Sequence, residues 1–129
     1  MRFHIVAAAL AIAVSVAGCT TAPIHNVDQA AAVNASGKTL THDQVRGAIV
    51  RAGAALGWQM KDEGPNTLVG TIALRGHSAV VTIPYSTTAY SIKYRSSENL
   101  QESGGKIHKN YNGWIQNLHR GIAAQLAAS

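Results

Sequence analysis

His108, Asn110, Tyr111, Asn112 and Trp114 crowd into the run "IHKNYNGWIQNL", residues 107–118. Just before it, "SSENLQESGGKI" adds Ser96, Ser97 and Asn99. Hydroxyl, imidazole and amide groups at such close spacing suit one of three chemistries: nucleophilic hydrolysis, metal binding, or hydrogen bonding to a ligand. Serine catalysis needs a nucleophile on a strained, exposed turn, with a base and an orienting acid beside it. No G-x-S-x-G occurs here, and Glu98 and Glu102 are acids only by proximity in the chain. For metals, His25, His42, His77, His108 and His119 include no pair at i, i+4 on an expected helix. His108 and His119 would stand about 16 Å apart at the 1.5 Å rise of a helix. No catalytic set, metal site or cofactor is therefore expected. Ser96, Ser97, Asn99, His108 and Asn112 are the candidate binding residues, with His108 also suited to a local bond where a loop enters a helix.

The elements that would position these residues begin far upstream, with a leader. Arg2 supplies a positive charge, and Ile5 to Ala17 is apolar apart from Ser15. This is a basic n-region and an h-region of export-signal length, too short for the ~20 apolar residues of a spanning helix. It is apolar on every side, so it has no polar face to show to water as a surface helix of the domain would. It ends in Val16-Ala17-Gly18-Cys19, and Cys19 is the sole cysteine of the chain. An exported domain with one thiol has no disulfide framework. The four residues resemble the lipobox of bacterial lipoproteins. That resemblance implies removal of residues 1–18 and attachment of acyl chains at Cys19, the lipid-attachment residue. Several chains are needed for stable anchoring, since each buried CH₂ contributes about 0.8 kcal/mol. With Thr20 rather than Asp after the cysteine, resemblance to the lipoproteins of Gram-negative bacteria implies the periplasmic side of the outer membrane in such a host.

The 129 residues carry a formal net charge of +5, which falls to +4 when Arg2 leaves with the leader. The charges are scattered and an exported chain does not meet the genome, so no nucleic-acid partner is expected. Anionic lipid, lipopolysaccharide or a carboxylate-rich polymer would be the natural counterparts of a basic surface, but ordinary solubility is the plainest account of the charge.

Residues 19–40 read as a lipidated N-terminus and a flexible tether, rich in Ala, Thr, Asn and Ser with no sustained period. Its reach would be roughly 25 Å, from about 5–6 Å times the square root of its length. The domain spans residues 41–129. It opens with Thr41 as N-cap and Gln44 at the third helical position, a capping box, and with Leu40 and Val45 as a hydrophobic staple. Val45, Ala48, Ile49, Ala52 and Leu56 form an apolar stripe, and Gly57 a C-terminal stop. Four short runs of period two follow. They are Trp58–Lys61, a run with Leu68, Ile72 and Leu74 on one face, a run with Ala79, Val81, Ile83 and Tyr85 on one face, and Tyr90–Arg95. Trp58, Tyr90 and Tyr94 are in phase with Met60 and Ile92, which points their rings to the core and away from any ligand. A second helix starts near Tyr111 with Asn110 as N-cap and buries Trp114, Ile115, Leu118, Ile122 and Leu126. The expected fold is α+β, a two-layer sandwich: a four-stranded antiparallel meander with an N-terminal and a C-terminal helix on one face (α-β-β-β-β-α). Residues 96–107 form a long loop, of the kind that is often functional.

The pattern Tyr90-Ser91-Ile92-Lys93-Tyr94, Ser96-Ser97, Asn99-Leu100, then Ile107-His108, Tyr111-Asn112, Trp114, Leu118 and Ile122 resembles a group of small, uncharacterised proteobacterial lipoproteins. The resemblance spans about residues 58–122 and the lipobox. It implies an envelope location and carries no catalytic residues. The expected role is a non-enzymatic binding or assembly module, held to the membrane through Cys19 and engaging an envelope protein or an anionic glycan or lipid. Two alternatives stand beside it: an envelope-polymer hydrolase using His108 as acid or base, and a basic domain that docks on lipid or lipopolysaccharide.

Overall fold

Thr41 and Gln44 form the expected reciprocal cap: the threonine hydroxyl accepts from the Gln44 amide at 3.1 Å, and the Gln44 side chain accepts from the Thr41 amide at 2.9 Å. In the computed structural model, which describes residues 20–129, this cap opens α1 (His42–Ala55). The expected leader, residues 1–18, and the expected lipid-attachment residue Cys19 lie outside the described residues. Val45, Ala48, Ile49 and Ala52 are buried along α1, whereas Leu56 is the C-cap and 39% exposed. The helix has ended where the stripe would have carried Leu56 inward. Gly57, at φ +88°, donates to Ala54 O, and the Trp58 amide donates to Gly53 O at 2.9 Å. These two bonds make a Schellman motif, which turns the chain and delivers the buried indole of Trp58 beneath the helix.

The chain is α+β. A five-stranded antiparallel sheet runs in the order β2-β6-β5-β4-β3, and β1 pairs with β7 in a second, two-stranded sheet. The strands are β1 (Thr21–Pro23), β2 (Val27–Ala31), β3 (Gln59–Asp62), β4 (Thr67–Leu74), β5 (His77–Pro84), β6 (Ala89–Glu98) and β7 (Lys106–His108). The last element is α2 (Lys109–Ala127). Leu68, Ile72, Ala79, Val81, Ile83, Tyr90 and Ile92 alternate inward from β4, β5 and β6, and they join the buried stripes of both helices in one cluster. Leu74 is the exception at 47% exposed, because Arg75-Gly76 reverses the chain immediately after it.

Four expectations are corrected. Residues 20–40 are not a free tether, since β1 and β2 lie within them and pair with the domain. A shift of register between Val27 and Ala30, with Gln29 at φ 51°, bulges β2. The bulge erases the period of two by which a strand is recognised. The sheet therefore has five strands, with β2 covering the β6 edge. The long loop shrinks to residues 99–105, because β6 continues through Glu98 and β7 begins at Lys106. The N-cap of α2 is His108, and Asn110 lies inside the helix.

Close contact between α1 and the sheet depends on two glycines around one methionine. A Cβ at Gly53 would come within 2.5 Å of Met60 Cε, and one at Gly70 within 2.9 Å of Met60 Sδ and 3.2 Å of Val81 Cγ2. By contrast, a Cβ at Gly113 of α2 meets nothing within 4 Å. Gly70→Leu is expected to lower the unfolding free energy by about 1–3 kcal/mol through overpacking. Gly113→Ala is expected to raise it by about 0.5–1 kcal/mol through helix propensity. Denaturant midpoints of the two variants check this; equal effects would mean that Met60 has room to move aside.

Candidate functional site

The polar residues singled out in the sequence gather where β1, β7 and the start of α2 meet. Segment 20–26 is fastened there bond by bond. Thr20 O accepts from the Lys109 amide at 2.9 Å, and the Thr20 hydroxyl donates to the Gln101 side chain at 3.1 Å. Thr21, Ala22 and Pro23 face His108, Ile107 and Lys106 across the ladder. The Ile24 amide donates to Gly105 O at 2.9 Å. Asn112 then holds both sides of the turn: its oxygen accepts from the His25 amide at 3.0 Å and its nitrogen donates to Pro23 O at 2.9 Å. Asn26 extends the contact to the sheet, accepting from the Tyr94 amide at 2.9 Å.

His108 takes part through its backbone and its ring. Its amide donates to Leu100 O at 2.8 Å, and its Nδ1 accepts from the Asn110 amide at 3.1 Å. That role places the neutral imidazole's proton on Nε2, as assigned from the hydrogen bond. The lone pair that a general base needs is thus engaged in capping α2. The Ser97 hydroxyl lies 2.8 Å from the Tyr94 hydroxyl, and no base is bonded to it. Asn99 adopts φ 58°; its side chain donates to Gly76 O at 2.7 Å, and its carbonyl lies 2.7 Å from His77 Nδ1. Ser96 is exposed on β6 opposite Val80. Four of the five candidates therefore direct polar atoms at neighbouring backbone or side chains, and Ser96 alone faces outward without such a bond.

Asn34 is the partner that sequence reasoning missed. It is 6% exposed, and its amide nitrogen reaches the carbonyls of Leu126, Ala127 and Ser129 at the C-terminal end of α2. Its oxygen accepts from the amide and hydroxyl of Ser36 at 3.0 and 2.6 Å, an Asx turn. The run Asn34-Ala35-Ser36-Gly37 consists of turn-forming residue types, though it was read as part of the tether. Nothing local signalled that the turn would cap a helix more than ninety residues away. Ser91 was missed in the same way: it is buried because Gln29 of the bulged β2 donates to its hydroxyl at 2.9 Å.

Three phenols line the interior. Tyr90 contacts His119 Nδ1 of α2 at 2.7 Å, and burial raises its pKa to about 12. Tyr111 is fully buried edge-on to Tyr94, with ring centroids 5.6 Å apart at 83°, and its hydroxyl has no hydrogen-bond partner among the described residues. Desolvation first, then the neighbouring Tyr94, pushes its ionisation well above the usual range. Tyr85 borders a shallow recess of about 270 Å³ with Gln29, Asn66, Pro84 and Ala89, none of them a candidate binding residue. Burial raises its pKa, against the opposing pull of Arg46. Arg46 itself ties α1 to β3 through Asp62, with Nε–Oδ1 2.8 Å and Nη2–Oδ2 2.7 Å. The described residues contain no group of three or more His, Cys, Asp or Glu suited to hold a metal ion, and no helix among them is long and apolar enough to cross a membrane.

Asn34→Ala removes a buried amide that satisfies carbonyls and is expected to cost about 1–3 kcal/mol. Asn112→Ala breaks two exposed bonds and is expected to cost about 0.5–1.5 kcal/mol, with faster hydrogen exchange confined to residues 21–26. Exchange accelerated throughout the domain by Asn112→Ala would mean that the clasp is part of the core. Alkaline titration provides a second check. An unfolded tyrosine ionises near pH 10, whereas folded Tyr90 holds its proton to about pH 12. Between these values the folded state binds more protons, so stability falls as pH rises through the window. Urea midpoints should decline there, and Tyr90→Phe with Tyr111→Phe should flatten the decline. Comparison of the chain with protein-family models, with curated proteins and with solved structures finds no match.

Proposed function

We propose that the chain is an exported, lipid-anchored protein of the bacterial envelope whose domain acts as a non-enzymatic binding or assembly module. In this reading the fold is a two-layer sandwich with both helices over one face of the sheet. The observation that carries the proposal is the leader ending in Val16-Ala17-Gly18-Cys19. Acylation of Cys19 would place the domain on a membrane surface, on the periplasmic side of the outer membrane in a Gram-negative cell. The non-enzymatic character draws support from the hydrogen bonding of the polar cluster. His108 caps a helix, Asn99 and Asn112 hold backbone, and Ser97 pairs with a phenol. A nucleophilic serine is activated by a general base bonded to its hydroxyl, and the group beside Ser97 is a phenol. The binding surface is the exterior of the 96–112 segment, where Ser96, Lys106, Lys109 and Asn110 are exposed.

Intact-mass measurement of natively produced protein tests the anchoring. The expected species lacks residues 1–18 and carries acyl chains on Cys19, and Cys19→Ser should keep the leader and lose the lipid mass. Material that begins with Met1, or that bears a free thiol at Cys19, would overturn the reading. For the module itself, alanine at Ser96 and Asn110 should leave the unfolding midpoint within about 0.5 kcal/mol of the parent.

A further inference from the structure

On the lipid-anchored reading, the fold starts at the residue next to the lipid. Thr20, the residue after Cys19, is already bonded to the first residue of α2 through Thr20 O and the Lys109 amide at 2.9 Å, and to Gln101 at 3.1 Å. The next residues are locked by the β1–β7 ladder and by Asn112. One peptide bond joins Thr20 to Cys19 in the sequence, so no run of free residues separates the lipid-bearing residue from the fold. A flexible tether of twenty residues would have let the domain roam roughly 25 Å from the bilayer, and none exists between lipid and fold.

We infer that the β1–β7 ribbon, the 99–105 loop and the first turn of α2 rest directly on the anionic phospholipid leaflet that holds the acyl chains. The end of chain specifies the occupant: a lipid covalently joined beside this face brings its own leaflet to it. Of the charged side chains exposed there, Lys106 and Lys109 lie at the two ends of the β1–β7 ladder, with Glu98 and Glu102 on the approach to it. No acidic residue occupies the first turn of α2. Basic side chains this close to a leaflet are drawn to its phosphates, an attraction that fades beyond a Debye length. The opposite end of β6, at the Ser86-Thr87-Thr88 turn, faces away from the bilayer in this orientation. A ten-residue strand at about 3.3 Å per residue separates the two ends.

The test uses the complete mature, natively lipidated protein, in which the acyl chains block Cys19 so that one added cysteine can be labelled alone. Ser103→Cys and Thr87→Cys, each spin-labelled, are reconstituted in phosphatidylethanolamine vesicles with and without phosphatidylglycerol, and relaxation by a headgroup-chelated nickel is read. The expected result is several-fold stronger relaxation at position 103 than at 87, larger when phosphatidylglycerol is present. Lys106→Glu with Lys109→Glu should remove that anionic increment. Equal relaxation at the two positions, or stronger relaxation at 87, in protein whose mass shows acyl chains on Cys19 overturns the orientation and leaves the anchoring intact. That outcome would instead leave the ribbon free for a protein partner. An increment unchanged by the charge reversal overturns the part assigned to the lysines. A bare Cys19 by mass overturns the anchoring, and the orientation with it.

Discussion

α2 is held at both ends by the same upstream segment, and the rest of the domain depends on that lacing. A helix leaves amides unpaired at its start and carbonyls unpaired at its end. Here Thr20 O takes the first amide and His108 Nδ1 the next, while Asn34 meets the terminal carbonyls. Residues 20–36 thus run the length of the helix, and β2 between the two contact points adds the fifth strand to the sheet. The five fully buried side chains of α2 each contribute about 1.5–3 kcal/mol when removed from water. Lacing the helix at its ends keeps that stripe in register with the sheet.

The same constraint explains the character of the polar cluster. A concentration of histidine, asparagine and serine looks like a site when read along the chain. In three dimensions it marks where three backbone segments without regular partners converge: the start of β1, the 99–105 loop and the helix N-terminus. Backbone polar groups away from a ladder require partners, and short polar side chains supply them without bulk. His108, Asn99 and Asn112 are the residue types that such a junction needs.

Burial of the phenols belongs to the opposite side of the balance. Tyr90 and Tyr111 bring large apolar rings to the interface between sheet and α2, and each carries a hydroxyl into it. Tyr90 finds His119, whereas Tyr111 has no partner among the described residues. The packing of Tyr111 against Tyr94 offsets the cost of a hydroxyl without a bond.

Some of this was legible from residues alone. Thr41 with Gln44, Gly57, and the inward alternation of Ala79, Val81 and Ile83 are local patterns whose physics closes within a few residues, so α1, its end and the middle strands could be read directly. The periodic stripe of α2 was equally plain. Other features were settled by tertiary structure. β2 has its alternation broken by a bulge and β1 is three residues long, so their strand character exists only through the partners β6 and β7. The engagement of Asn34, Ser91 and Asn112 likewise depends on groups more than sixty residues distant. Spacing along a chain reports the bonds a segment makes with itself, and bonds between remote segments appear only when the fold brings them together.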